Sequence, residues 1–145
     1  MKKAIITVLI PLAALACGGD ADTDTASDDA EATGTVNIVT PTDGALINGS
    51  TVTVQLSSTV QILPAGDLTP ESGHHHLYLD ADLTPANVPV PTVPGSIVHM
   101  GDASSTFVFE DVPPGEHRLI AVVADGVHVP LQPWVVDTVT FTVEN

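Results

Sequence analysis

Residues 51–57 read TVTVQLS, and residues 138–143 read TVTFTV. In the first stretch Val52, Val54 and Leu56 fall on one side and Thr53, Gln55 and Ser57 on the other. In the second, Val139, Phe141 and Val143 alternate with threonines. A period of two is the signature of a β-strand with one face in a core and one in water. Between them Leu119 to Ala124, LIAVVA, is apolar at every position, as expected of a central strand covered on both faces. No helical periodicity competes with these patterns from residue 35 onward.

Turn residues punctuate the runs at Pro41 to Gly44, Asn48-Gly49, Pro64 to Gly66, Pro113 to Gly115 and Asp125-Gly126. The patterns predict seven strands, near 35–40, 50–58, 74–81, 96–99, 104–111, 117–124 and 136–144. Seven short strands at this spacing predict an all-β fold, an immunoglobulin-like antiparallel β-sandwich over residues 35–145. Trp134 precedes the last strand and is expected to cover the edge of the core.

The N-terminal segment is organised differently. MKKAIITVLIPLAALACGG opens with Lys2 and Lys3 and continues with an uncharged apolar run to Ala16. That run is shorter than the ~20 residues needed to span a bilayer and contains Pro11, so it reads as a signal peptide over residues 1–16. The chain's single cysteine, Cys17, follows small residues. A lone thiol in an exported chain forms no internal disulfide, and acylation would account for it. The run Leu12 to Gly18, LAALACG, resembles a bacterial lipobox, with Ala14 where leucine is usual and Leu15 one place later. The resemblance implies lipid on Cys17 and a lipoprotein anchored to the cell-envelope membrane; Gly18 after it implies the outer membrane in a Gram-negative source. Residues 17–34 are acidic, small and polar, and are expected to be a disordered tether.

With the signal removed, one base, Arg118, stands against 18 acids, so the formal charge moves from −15 to −17. Nucleic acid is not expected as a partner, because phosphate binding needs clustered Lys and Arg. Contact with a membrane is expected through the lipid anchor only.

Six histidines occur in this acidic domain: His74, His75, His76, His99, His117 and His128. Imidazole is the commonest transition-metal ligand. On a strand His74 and His76 point the same way, with Tyr78, while His75 points with Leu77 and Leu79 into the core. In an immunoglobulin-like sandwich the loop before the third strand and the loop after the sixth lie at one end. His74 and the stretch Asp125 to His128 should therefore meet, and His99 joins them if residues 96–99 return beside the third strand. The candidate metal site is His74, His76, His99 and His128, with Asp125 as a fifth ligand or a partner behind them. Nitrogen ligation of this kind suits a copper or zinc ion, and Met100 offers a thioether to Cu(I) unless it packs in the core. Asp80 and Asp82 form a D-x-D pair, a sparse signal for calcium. His117 begins the sixth strand and belongs at the opposite end.

Three functional readings stay open: a metal-binding envelope lipoprotein, a non-enzymatic interaction module whose histidines form a structural hydrogen-bond network, and a small metalloenzyme. The chain has no G-x-S-x-G, no H-E-x-x-H and no phosphate loop, so no catalytic residue is assigned and the enzyme is the least supported reading.

Two resemblances bear on this. IVTPTDGALINGSTVTVQL and PPGEHRLIAVVAD resemble strands of bacterial immunoglobulin-like modules, in which a histidine at the position of His117 is structural. GHHHLYLD, VHMGD, PPGEHRL and ADGVHVP, in this order, resemble the bacterial secreted family named domain of unknown function 4399. The resemblance spans residues 36–145; where a glycine-rich stretch is usual after His99, this chain has Gly101-Asp102-Ala103-Ser104. It implies the fold and an exported location, and no activity.

Overall fold

The computed structural model describes residues 34–144. The signal segment, Cys17 and the acidic stretch to Thr33 lie outside the described residues. The described chain is all β, with nine strands: β1 Val36–Thr40, β2 Ala45–Asn48, β3 Val52–Ser58, β4 Gln61–Ile62, β5 Ser72–Leu79, β6 Ile97–Met100, β7 Thr106–Phe109, β8 Gly115–Ala124 and β9 Val136–Glu144. They form two sheets. One is three-stranded, β1-β3-β7; the other is six-stranded, β2-β9-β8-β5-β4, with β6 also paired to β5.

Alternation decides which side chains meet between the sheets. Val52, Val54 and Leu56 of β3 and Val36 and Ile38 of β1 face Leu77, Leu79, Leu119, Ala121, Val123, Val139, Phe141 and Val143 of the larger sheet. Each valine, leucine, isoleucine or phenylalanine among them taken from water contributes about 1.5–3 kcal/mol. The two sheets and their shared core define a β-sandwich, compatible with the immunoglobulin-like expectation.

The count and the pairing differ from the seven antiparallel strands expected. The two further strands, β2 and β4, both pair in parallel, β2 with β9 and β4 with β5. β2 follows the Pro41 to Gly44 turn, where the Asp43 carboxylate accepts hydrogen bonds from the Thr140 backbone N–H (2.8 Å) and hydroxyl (2.9 Å). That clamp holds an otherwise weak, half-exposed segment against β9. β4 is only two residues long and leaves no periodic trace.

The outer face of the larger sheet is covered too. Tyr78, Ile97, Ile120, Val122 and Ala124 form a second apolar cluster with Val90, and Ala81, Leu83 and Trp134 pack against it. Trp134 therefore covers this outer face rather than the edge of the sandwich core. This cover is why every residue of β5 is buried and why β8 is apolar on both faces.

Candidate metal centre

β5 lies between β8 and β6, with His74 opposite Ala124 and His76 opposite both Val122 and His99. Parity sends His74 and His76 to the outer face, and both are fully buried there. Register puts His99 on the same face, beside His76. His128 arrives from the turn after β8. It has φ 71°, a left-handed conformation that is rare for a residue with a Cβ. The turn is built on Asp125. Its carboxylate accepts the backbone N–H groups of Val127 (2.9 Å) and Val129 (2.9 Å), and its carbonyl accepts the His128 N–H at 2.9 Å. From the far side the Val90 N–H donates to the His128 carbonyl at 2.9 Å.

The four rings pack against one another. Ring centroids are 4.8 Å apart for His74–His76 and His74–His99, 5.0 Å for His74–His128, 5.1 Å for His76–His99, 5.7 Å for His76–His128 and 4.6 Å for His99–His128. The Nε2 atoms of His74 and His76 approach to 3.0 Å, and those of His99 and His128 to 3.2 Å. One donor nitrogen from each of His74, His99 and His128 falls within 4.8 Å of the others. Two nitrogens on one tetrahedral zinc or copper ion, at about 2.0–2.1 Å from it, stand about 3.3 Å apart. The two Nε2 contacts already match that edge.

His74, His76 and His99 are shifted toward the neutral form that ligates. Burial, then the charges His99 and His128 would carry, lower the His74 pKa to about 4. Burial, then its histidine neighbours, lower that of His76 to about 3. His99 is lowered as well, by burial first and by His128 second.

The other candidates lie elsewhere. Asp125 stands behind His128 with its carboxylate committed to the turn, outside the group of converging nitrogens. Burial and the neighbouring histidines lower the His74 pKa, and the Asp125 charge opposes them without reversing the shift. Met100 is buried in the sandwich core, on the face opposite His99, so its thioether does not reach the cluster. His75 faces the core and its Nδ1–H donates to the Ser104 carbonyl at 3.0 Å. His117 sits at the opposite end of β8, with Nδ1 2.7 Å from the Asp80 carboxylate and Nε2 2.8 Å from the Pro113 carbonyl. Two acceptors call for two ring protons. Burial opposes that charge, but the Asp80 and Pro113 contacts outweigh it and raise the pKa. Asp80 also accepts the Arg118 backbone N–H, and Asp82 accepts the Arg118 guanidinium, so both acids of the D-x-D pair serve this clip.

One residue that sequence reasoning did not assign is Gly101. A Cβ there would lie 2.6 Å from both Cε1 and Nε2 of the His99 ring. Its carbonyl accepts the Ala65 N–H at 3.0 Å, tying the 63–68 loop to the site. The signal available was a glycine two places after a histidine. If the histidines hold zinc or copper, Gly101→Ala is expected to weaken that affinity at least tenfold by turning the His99 ring, with little change in the metal-free unfolding midpoint. Competition titration beside thermal melts checks both halves.

A β-sandwich with a covered outer sheet face, on which the ring nitrogens of His74, His99 and His128 converge with the His76 ring packed against them, is the class of protein defined here. The chain belongs to the family described as Domain of unknown function (DUF4399), whose model matches residues 52–144. No curated protein matches the sequence. Among solved structures, it is similar to the extracellular domain of a protein described as a one-component system of B. thetaiotaomicron, at 7% identity and TM-score 0.42, over 77% of this chain and 15% of that one. This chain thus spans a small fraction of that protein's length.

Proposed function

We propose that the domain binds a transition metal ion, copper or zinc, through His74, His76, His99 and His128, in an exported protein held to the cell envelope by lipid on Cys17. The observation that carries the reading is the inward convergence of imidazole nitrogens. The Nε2 atoms meet in two pairs, His74 with His76 and His99 with His128. Among neutral rings each close Nε2 pair shares only one N–H, so the desolvation of the remaining edges is not repaid. An ion at the centre would use the lone pair of every facing Nε2 atom, where each metal-free pair uses only one. His99 and His128 are half-exposed, which gives the ion a way in.

The competing reading is a metal-free network that holds loops together, and the two direct ring-to-ring contacts are the observation in its favour. Metal analysis of the protein purified without an affinity tag, followed by zinc and copper titration at neutral pH, separates the two. One equivalent of bound metal supports the proposal. A protein that ignores both ions is the network.

The anchor is tested on its own. Replacing Cys17 with Ser should release the processed domain into the soluble fraction or leave an uncleaved precursor. A processed Cys17→Ser protein that still fractionates with membranes would refute lipidation.

A further inference from the structure

We infer that the site, taken as the metal centre proposed above, holds copper as Cu(I) in preference to Cu(II) and Zn(II). The first ground is charge. The converging donors are imidazoles, with no carboxylate or thiolate among them. A bound ion keeps its whole charge, and two of its ligands, His74 and His76, are fully buried. The cost of bringing an ion out of water grows with the square of its charge, so a neutral, buried ligand set penalises a divalent ion far more than a monovalent one.

The second ground lies behind the ligands. Histidines on divalent ions usually donate the remote ring N–H to a carboxylate or carbonyl, which makes the ligating nitrogen a stronger base. The Nδ1 atoms of His74 and His76 are buried with no hydrogen-bond partner among the described residues. These two imidazoles stay weakly basic, which suits a soft, singly charged ion. The third ground is placement. His74, His76 and His99 rise from one sheet face, and His128 closes over them from a turn. The donor atoms that converge are those of His74 and His99 from below and His128 from the side, a three-donor set that a filled d-shell accepts, rather than the square of four that Cu(II) favours. Zn(II) shares the filled shell but not the low charge.

The test compares three ions on the full-length protein at pH 7. Cu(I) is measured anaerobically against a chromophoric Cu(I) chelator; Cu(II) and Zn(II) are measured against chelators of known affinity. Cu(I) is expected to bind at least 100-fold more tightly than either divalent ion. Relative to Cu(II), that raises the potential of the bound copper couple by about 120 mV above the aqueous one. The charge argument has its own variant. Aspartate tolerates the left-handed backbone of position 128, so His128→Asp adds a carboxylate ligand with little strain. It should move the preference at least tenfold toward the divalent ions. Cu(II) or Zn(II) binding as tightly as Cu(I) overturns the inference while leaving the metal site standing. An unchanged preference in His128→Asp removes its basis in charge. Binding of none of the three ions overturns the metal reading itself.

Discussion

Zinc or copper at a hundredfold excess over its dissociation constant is expected to stabilise the protein by about 2.7 kcal/mol at neutral pH. For a domain of about 110 residues this raises the unfolding midpoint on the order of 10 °C. The gain requires ligands that come together only in the folded chain, from β5, β6 and the turn after β8. Replacing His99 and His128 with alanine should abolish the metal-dependent rise. Both side chains are half-exposed, so the variant is expected to fold. Replacing His74 and His76 should abolish it too, but truncating two fully buried rings also opens cavities and lowers the metal-free midpoint. His117→Ala should do the reverse, lowering the midpoint while leaving the metal-dependent rise intact, because His117 is held by Asp80 and Pro113 at the far end of β8. Melts of the four proteins with and without metal check the set. An undiminished rise in the His99 and His128 variant would place the ion elsewhere.

Strand parity carried most of what the sequence disclosed. The alternation in β3 and β9, and its absence in β8, predicted which residues face the sandwich core. The same parity applied to GHHHLYLD separated His74 and His76 from His75. It also bears on Met100: once His99 faces outward, the next residue faces inward, where Met100 lies. The second apolar cluster was hidden, because its cover comes from proline-rich loops with isolated apolar residues such as Val90 and Trp134. Without it the histidines read as a loop-end group, whereas two of them are buried beneath chain. β2 and β4 were hidden for another reason. Each is short and owes its place to a parallel partner distant in sequence, which no local pattern records. Asp125 offered two readings in sequence, ligand or support. An aspartate ahead of a glycine commonly spends its carboxylate on its own turn, and this one does so on Val127 and Val129.

Acid should destabilise the metal-free protein steeply. In the unfolded chain His74 and His76 take up protons near pH 6.5, but the folded protein holds them neutral down to about 4 and about 3, through burial first and neighbouring histidines second. Below pH 6.5 the unfolded state therefore binds more protons than the folded one, and stability rises with pH in that window. The contribution of the pair is complete above pH 6.5 and drains away as pH falls toward 4. Each unmatched proton costs about 1.4 kcal/mol per pH unit. His75 and His99, also lowered, add in the same direction. His117 runs the other way. Its pKa is raised in the fold, so its contribution is complete below pH 6.5 and is lost as pH climbs through the raised value. The two effects together predict a stability profile that falls on the acid side because of the cluster and softens on the alkaline side because of the clip. His117→Gln should flatten the alkaline side alone, and His99→Ala with His128→Ala should make the acid limb shallower by relieving the charges that depress His74 and His76. Denaturant unfolding measured from pH 4 to pH 9 separates the limbs. A native protein whose stability does not fall between pH 6.5 and pH 4 would mean that the rings are not held neutral, and the cluster would lose the property that makes it a ligand set.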